Sequence, residues 1–200
     1  MIRHRTTAAL VALLTAGALT ACTPDTTPPT TTPTSTTTPS QTPTPSPTPT
    51  VDPAEAAKQA NIDAAIAAYE AHIDAVNRVG QAGMVGWETD VLPAIGSSDL
   101  REEIVSLYTQ LSEQGVRQTG EREIASLTVT DYVEDPTGAG HEQVRLDVCL
   151  DNSGVDEVDA QGKSILLAGY PPRLITSVLM QRQVDFWTIS EMVTQEGQQC

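Results

Sequence analysis

The chain has 200 residues, with 11 basic and 26 acidic side chains and a formal net charge of −15. This acidic excess excludes the electrostatic footprint that binding to nucleic acid or to anionic lipid headgroups requires. Three cysteines are too few for a disulfide scaffold or a four-cysteine zinc site. We therefore expect no metal, no cofactor and no nucleic-acid partner.

The first 21 residues have the features of a secretory signal peptide. Arg3 and Arg5 give the start a positive charge, and an apolar run follows from residue 8 to residue 19. The run is too short to span hydrocarbon, which takes about 20 residues. We expect residues 1–21 to be removed on export.

Residues 19–22, Leu-Thr-Ala-Cys, resemble the lipobox of bacterial lipoproteins, in which an aliphatic residue and two small residues precede a cysteine. The resemblance implies that the thiol of Cys22 receives diacylglycerol and that the signal is cut before this residue. Two or more acyl chains hold a protein durably on a membrane, at about 0.8 kcal/mol per buried CH2 group. The motif predicts a protein anchored by lipid on the extracytoplasmic face of the cell membrane.

Residues 22–50 form a linker that begins with Cys22. Positions 23–50 hold 14 threonines, nine prolines and three serines, and no apolar residue other than proline. Such a segment cannot form a core, so we expect a disordered stalk with a reach of at most roughly 85 Å. An O-glycosylated stalk and a bare spacer both fit this composition.

Residues 51–200 are the predicted folded domain, which begins with helices. Asp52, Pro53 and Glu55 form a helix start, and Gly80 ends the helix. Its apolar stripe consists of Ile62, Ile66, Tyr69, Ile73 and Val76. We interpret His72, beside that stripe, as a boundary residue rather than a ligand.

Two further helices are predicted before Gly115. A short one lies within residues 81–96 and is limited by Pro93. The third follows residues 97–99, where Asp99 and Glu102 form a capping-box pattern.

After Gly115 the apolar period changes to two, which predicts strands. The run from Ile124 to Val133 alternates imperfectly and indicates a β-bulge. Apolar residues occupy every second position from Val144 to Leu150. These side chains, including Val148, therefore face one side of the strand, and Cys149 faces the other. Two more strands are predicted at 174–180 and 184–193. The separation of helices from strands indicates an α+β fold.

The order of these elements resembles the cystatin-like cone of the nuclear transport factor and ketosteroid isomerase superfamily, over about residues 52–196. The resemblance implies three N-terminal helices packed on one curved antiparallel sheet. The lipobox, the Thr/Pro stalk, the segment 148–155 and the final cysteine also resemble small secreted lipoproteins of actinobacteria and their phages. That second resemblance implies a location at the cell surface, but no activity.

Once Cys22 is acylated, the remaining cysteines, Cys149 and Cys200, can pair in only one way, and export favours their oxidation. A disulfide requires their Cα atoms to lie within about 7 Å. The C-terminal strand must then lie beside the strand of residues 144–150 or one strand away from it. The C-terminal tail would be joined to the outer face of the sheet.

No nucleophile elbow, phosphate-binding loop or zinc-protease motif occurs in the sequence. We therefore expect that the protein is not an enzyme, and we assign no catalytic residue. Isomerases of the cone superfamily use an apolar pocket with a carboxylate base and a tyrosine donor. Candidate pocket residues are Tyr69, Trp87, Tyr108 and Tyr132, with Asp131 or Asp147 as the base. The strand alternation points Asp147 away from the helices, which counts against it.

These observations favour a lipid-anchored, surface-displayed binding or interaction module, whose partner is a protein or a small apolar ligand. Two alternatives stay open: a cone-fold, isomerase-like enzyme acting on a small apolar substrate, and a phage-encoded surface factor that blocks entry of a competitor. A deep apolar cavity with an inward carboxylate would favour the enzyme. A filled cone with an exposed apolar patch would favour an interaction module.

Overall fold

The computed structural model describes residues 52–135, 137, 139–195 and 198–200. In chain order, the elements are α1 (Pro53–Gln81), α2 (Trp87–Asp90), α3 (Ser98–Glu113), β1 (Arg117–Thr119), β2 (Glu123–Val133), β3 (Gln143–Asp151), β4 (Asp156–Val158), β5 (Arg173–Arg182) and β6 (Trp187–Thr194). A 3-10 turn, Leu92–Ala94, separates α2 from α3. The α+β prediction is confirmed. The predicted signal peptide, lipidated Cys22 and stalk lie outside the described residues.

Helix α1 begins where its capping residues predict. The Asp52 carboxylate accepts a hydrogen bond from the Ala54 backbone N–H at 2.9 Å, and Pro53 occupies the first turn. The helix buries Ile62, Tyr69 and Ile73, as the stripe predicts. The buried face of α1 is wider than that stripe, because strands and another helix pack against the helix on both sides of the stripe. The interpretation of His72 as a boundary residue is therefore wrong, since its side chain is only 4% exposed.

The second and third helices follow the predicted order with one difference. Pro93 lies in the 3-10 turn after α2, which it limits to a single turn. Helix α3 is capped by Ser97, whose Oγ accepts from the Leu100 N–H at 3.4 Å. Asp99 lies inside the first turn and is not the cap, so the predicted capping box is wrong by two residues.

Strands β2, β3, β5 and β6 form, in that order, an antiparallel sheet that we call the main sheet. Register shifts between Ile124 and Ser126 and between Val129 and Asp131 confirm the predicted irregularity of β2. Strand β3 is the regular central strand, and its inward-facing side chains are fully buried in the core beneath α1. These are Val144, Leu146 and Val148.

The prediction of a cystatin-like cone is wrong, because the described strands form two sheets rather than one curved sheet. Strands β1 and β4 pair with each other in a separate two-stranded sheet. The strands divide into two sheets at two turns that face each other, one at Gly120 and the other at Gly154. Gly120 has a φ of +73°, and an added Cβ there would collide with the carbonyl oxygen of Gly154. The β2–β3 ladder stops at these turns and pairing resumes only beyond them.

The predicted disulfide is confirmed. Cys149 and Cys200 are bonded, with their Cα atoms 5.9 Å apart and 51 positions apart in sequence. Strand β6 lies one strand away from β3, with β5 between them, as the pairing requires. Cys149 faces the side of β3 opposite to Val148, so the C-terminal tail is joined to the outer face of the main sheet.

Candidate ligand-binding site

A cavity of 230 Å³ lies between helices α1 and α3 and the main sheet; we call it the inner cavity. Its apolar wall is formed by Ile73, Val76, Val91, Ile104, Leu107, Leu150, Leu174 and Met192. Its polar lining consists of Tyr69, His72, Tyr108, Arg122, Asn152, Tyr170, Thr176 and Thr194. Small-molecule sites combine apolar side chains with polar groups, as this lining does, and its volume is below the range of about 300–1,000 Å³ for drug-sized ligands.

A second cavity, of 450 Å³, adjoins the first; we call it the outer cavity. The two share three lining residues, Arg122, Asn152 and Tyr170. The loop between β4 and β5 supplies the outer wall, including the apolar side chains of residues 165–167. Leu167 is 79% exposed, so this wall opens to solvent. The two cavities therefore meet at the three shared residues.

The loop that forms the outer wall is held by hydrogen bonds of its own. The Asp159 carboxylate accepts from the backbone N–H groups of Gln161 and Lys163, each at 2.9 Å. The Ile165 N–H donates to the Glu157 carbonyl at 2.8 Å. These contacts tie the loop to β4 and place its apolar side chains beside the cavity.

Arg122, the residue just before β2, is held firmly at the junction of the two cavities. Asn77 of α1 donates to the Arg122 carbonyl at 2.8 Å and accepts from its backbone N–H at 2.9 Å. The guanidinium Nε donates to the Asn152 side-chain oxygen at 2.7 Å. The Asn77 carboxamide oxygen also accepts from the buried Gln118 at 2.9 Å. This network fixes both the backbone and the side chain of Arg122.

Two buried polar groups of the inner cavity lack hydrogen-bond partners among the described residues. These are the hydroxyl of Tyr69 and Nδ1 of His72, whose rings lie 6.3 Å apart on one face of α1. Burial, together with the positive charge of Arg122, lowers the pKa of His72 to about 4. Burial raises the pKa of Tyr69 to about 12, and Arg122 opposes part of that rise. Both groups are therefore neutral at pH 7.

The sequence-predicted pocket residues fall at three places. Tyr69 and Tyr108 line the inner cavity. Trp87 lies behind Tyr108, with 5.7 Å between the ring centroids, and is not part of the lining. Tyr132 lies near the start of α1, where its hydroxyl accepts from Asn61 at 3.0 Å. The structure thus brings two of the four side chains together.

The two candidate bases do not line the inner cavity. Asp147 accepts from Ser177 at 2.5 Å on the outer face of the main sheet, the side that the strand alternation predicts. Asp131 is exposed on β2. Among the described residues, no carboxylate lines the inner cavity.

Arg122, His72 and Asn152 are the site residues that sequence reasoning missed. Asn152 lies in a turn-rich segment, and His72 lies beside a helical stripe, but neither position indicates a cavity. Arg122 has no motif around it. Its role follows only from the long-range contact with Asn77, which is 45 residues away in sequence.

Within the described ranges, no three His, Cys, Asp or Glu side chains form a group that could hold a metal ion. In the same part of the chain, no helix combines the length and apolar character needed to cross a membrane.

Comparison with known proteins gives little further guidance. No protein-family model matches the sequence, and no match to a curated protein was found. A de novo designed β-sheet protein determined by solution NMR is similar to this chain at 19% identity and a TM-score of 0.25. The match covers 70% of this chain and 88% of that protein. A likeness of this size supports no statement about fold or function.

Proposed function

We propose that the protein is a lipid-anchored binding module displayed on the extracytoplasmic face of the cell membrane, and that its ligand is a small molecule. The observation that carries this proposal is the pair of adjoining cavities that share Arg122, Asn152 and Tyr170. The inner cavity is lined by apolar and polar side chains in equal number, and two of its buried polar groups lack partners among the described residues. Such a combination suits a ligand that is mostly apolar and carries a polar head.

Binding without catalysis is supported by the chemistry of the inner wall. Its imidazole is neutral at pH 7, and no described carboxylate lines it. With a pKa of about 4, the imidazole of His72 is a much weaker base than an ordinary histidine, which makes it a poor general base at neutral pH. The wall does supply a fixed cation and neutral donors, which are suited to recognising and orienting a ligand.

The anchoring part of the proposal rests on the lipobox at residues 19–22 and on the export signal before it. The resemblance to secreted lipoproteins of actinobacteria and their phages supports the same location. The Thr/Pro stalk would then hold the cavities away from the membrane. The membrane is the partner through Cys22, and no nucleic-acid partner is proposed because the chain is strongly acidic.

The binding proposal is tested with 1-hexanol as a neutral apolar probe and tryptophan emission of the purified full chain as the readout. Trp87 is buried against Tyr108, which lines the inner cavity, so occupancy should change its emission. Val76→Phe should fill the cavity and weaken binding at least about tenfold. Val85→Phe is the matched control, because Val85 is 73% exposed and lies outside the lining. Saturable binding that Val76→Phe leaves unchanged would place the probe elsewhere and contradict the proposal.

The anchoring proposal is tested by fractionating bacterial cells that process lipoproteins. The wild-type chain should be found in the membrane fraction with a mass increase on Cys22, and Cys22→Ala should be found as uncleaved precursor or in the medium. Thr23→Ala, which lies just outside the lipobox, is the control and should behave as the wild type. Wild-type protein that is unmodified and free of membrane would refute the anchor.

A further inference from the structure

Arg122 is the one charged side chain among the described lining residues of the inner cavity, since His72 is neutral. It makes no salt bridge with any described residue, although acidic residues far outnumber basic ones in this chain. Four other arginines pair with carboxylates: Arg78, Arg145, Arg173 and Arg182. Arg101 donates to two backbone carbonyls instead, and Arg117 is exposed to solvent. The side chain of Arg122 is instead held by a neutral amide, that of Asn152. Its positive charge is therefore left without a counter-ion at the edge of a cavity.

A partly buried guanidinium without a counter-ion is costly, and its flat set of donors matches a carboxylate in a bidentate arrangement. The hydroxyl of Tyr69 adds a neutral donor to the same wall that has no acceptor among the described residues. The wall thus offers donors and positive charge and lacks negative charge. An oxyanion is the head group that this wall fits.

Resting on the proposed binding function, we propose that the inner cavity binds a small apolar acid whose carboxylate pairs with the guanidinium of Arg122. The apolar body of the ligand lies against Ile73, Val76 and Ile104. The volume of 230 Å³ sets the size class, which is smaller than a drug-sized ligand. A longer apolar tail would extend into the outer cavity along residues 165–167.

Preorganisation by Asn77 and Asn152 supports selectivity for the charged head. Because both the backbone and the Nε of Arg122 are already fixed, little side-chain freedom is lost when the acid binds. Glu157, which lines the outer cavity, is the one carboxylate among the described lining residues of the two cavities, and it makes no described ion pair with Arg122. Its negative charge should oppose the ligand at a distance.

The test compares hexanoate with 1-hexanol, two probes with the same chain length and different heads, on the purified full chain at neutral pH by titration calorimetry. Hexanoate should bind about tenfold or more tightly than 1-hexanol, since a hydrogen bond to a charged group is the stronger kind. Arg122→Met should remove that preference, so that hexanoate and 1-hexanol bind this variant with affinities within about twofold of each other. Arg117→Met is the matched control, because it removes one exposed positive charge outside both cavities. It should keep the preference.

Glu157→Gln provides an independent variant in case Arg122→Met does not fold. It should increase the preference for hexanoate over 1-hexanol, because it removes a negative charge beside the cavities. Equal affinity for the two probes, or a hexanoate preference that both Arg122→Met and Glu157→Gln leave unaltered, would overturn the carboxylate assignment while the binding function still stands. Failure of both probes to bind the wild-type chain would overturn the binding function as well.

Discussion

The buried imidazole of His72 predicts a loss of stability between pH 6.5 and about pH 4. Its pKa is 6.5 in the unfolded chain, whereas burial and the charge of Arg122 lower it to about 4 in the folded protein. Between these values the unfolded state binds more protons, so acidification favours unfolding. Above pH 6.5 the imidazole is neutral in both states, so this group causes no loss of stability there. Below about pH 4 both states are protonated, and this group causes no further loss.

The magnitude follows from the shift itself. A change from 6.5 to about 4 corresponds to about 3 kcal/mol at about 1.36 kcal/mol per pKa unit. Solvent screening reduces this value little, because the side chain of His72 is 4% exposed. Domains are stable by about 5–15 kcal/mol, so a loss of this size is a large fraction of the total stability.

Urea unfolding of the full chain, followed by circular dichroism from about pH 7 to about pH 4, measures this effect. His72→Phe keeps a ring in the same volume and removes the titrating group. Between about pH 7 and about pH 4, the free energy of unfolding of this variant should therefore fall by about 3 kcal/mol less than that of the wild type. His141→Phe is the control, because His141 lies at the edge of the main sheet and outside the core. The same pH slope in His72→Phe and in the wild type would refute the reasoning.

Three further predictions concern the support of the site. Asn77→Ala should lower the free energy of unfolding by about 2–3 kcal/mol, because the partly buried donors of Gln118 and Arg122 lose their acceptor. The control is Gln59→Ala, at an exposed position on the same helix. A change in the urea midpoint no larger than that of the control would count against this prediction. Gly120→Ala should destabilise the domain more than Gly162→Ala. Both positions have positive φ, but of the two only Gly120 lacks space for a Cβ. Equal thermal midpoints of the two variants would contradict this. Reduction of the disulfide should lower the free energy of unfolding, by about 4 kcal/mol in chain-entropy models, and with it the thermal midpoint, without abolishing far-ultraviolet ellipticity. Loss of all structure on reduction would show that the core alone is insufficient.

Local signals in the sequence were sufficient for the longer elements. The capping Asp52 and the stripe of α1 predicted that helix to within one residue of its end, and the strict alternation of residues 144–150 predicted the buried face of β3. The disulfide could also be predicted, because only two cysteines remain in the domain after Cys22 is assigned to the lipid. These features depend on periodicity and counting, which a single sequence contains.

The assembly of the elements could not be predicted in the same way. Strands β1 and β4 have three residues each, too few to show a period, and their pairing depends on the turns at Gly120 and Gly154 meeting in space. Arg122 illustrates the same limit for the site. Its position depends on Asn77 and Asn152, which come from distant parts of the chain. A cone was predicted because element order alone does not reveal where a sheet is interrupted.

The interruption of the main sheet also has a consequence for how this protein can change during evolution. The disulfide and the regular centre of the sheet lie apart from the residues that border the outer cavity, which come from turns and from the loop before β5. Substitutions at Val155 or within residues 165–167 therefore disturb few core contacts. Related chains could take different ligands by varying these edge segments while keeping the same scaffold.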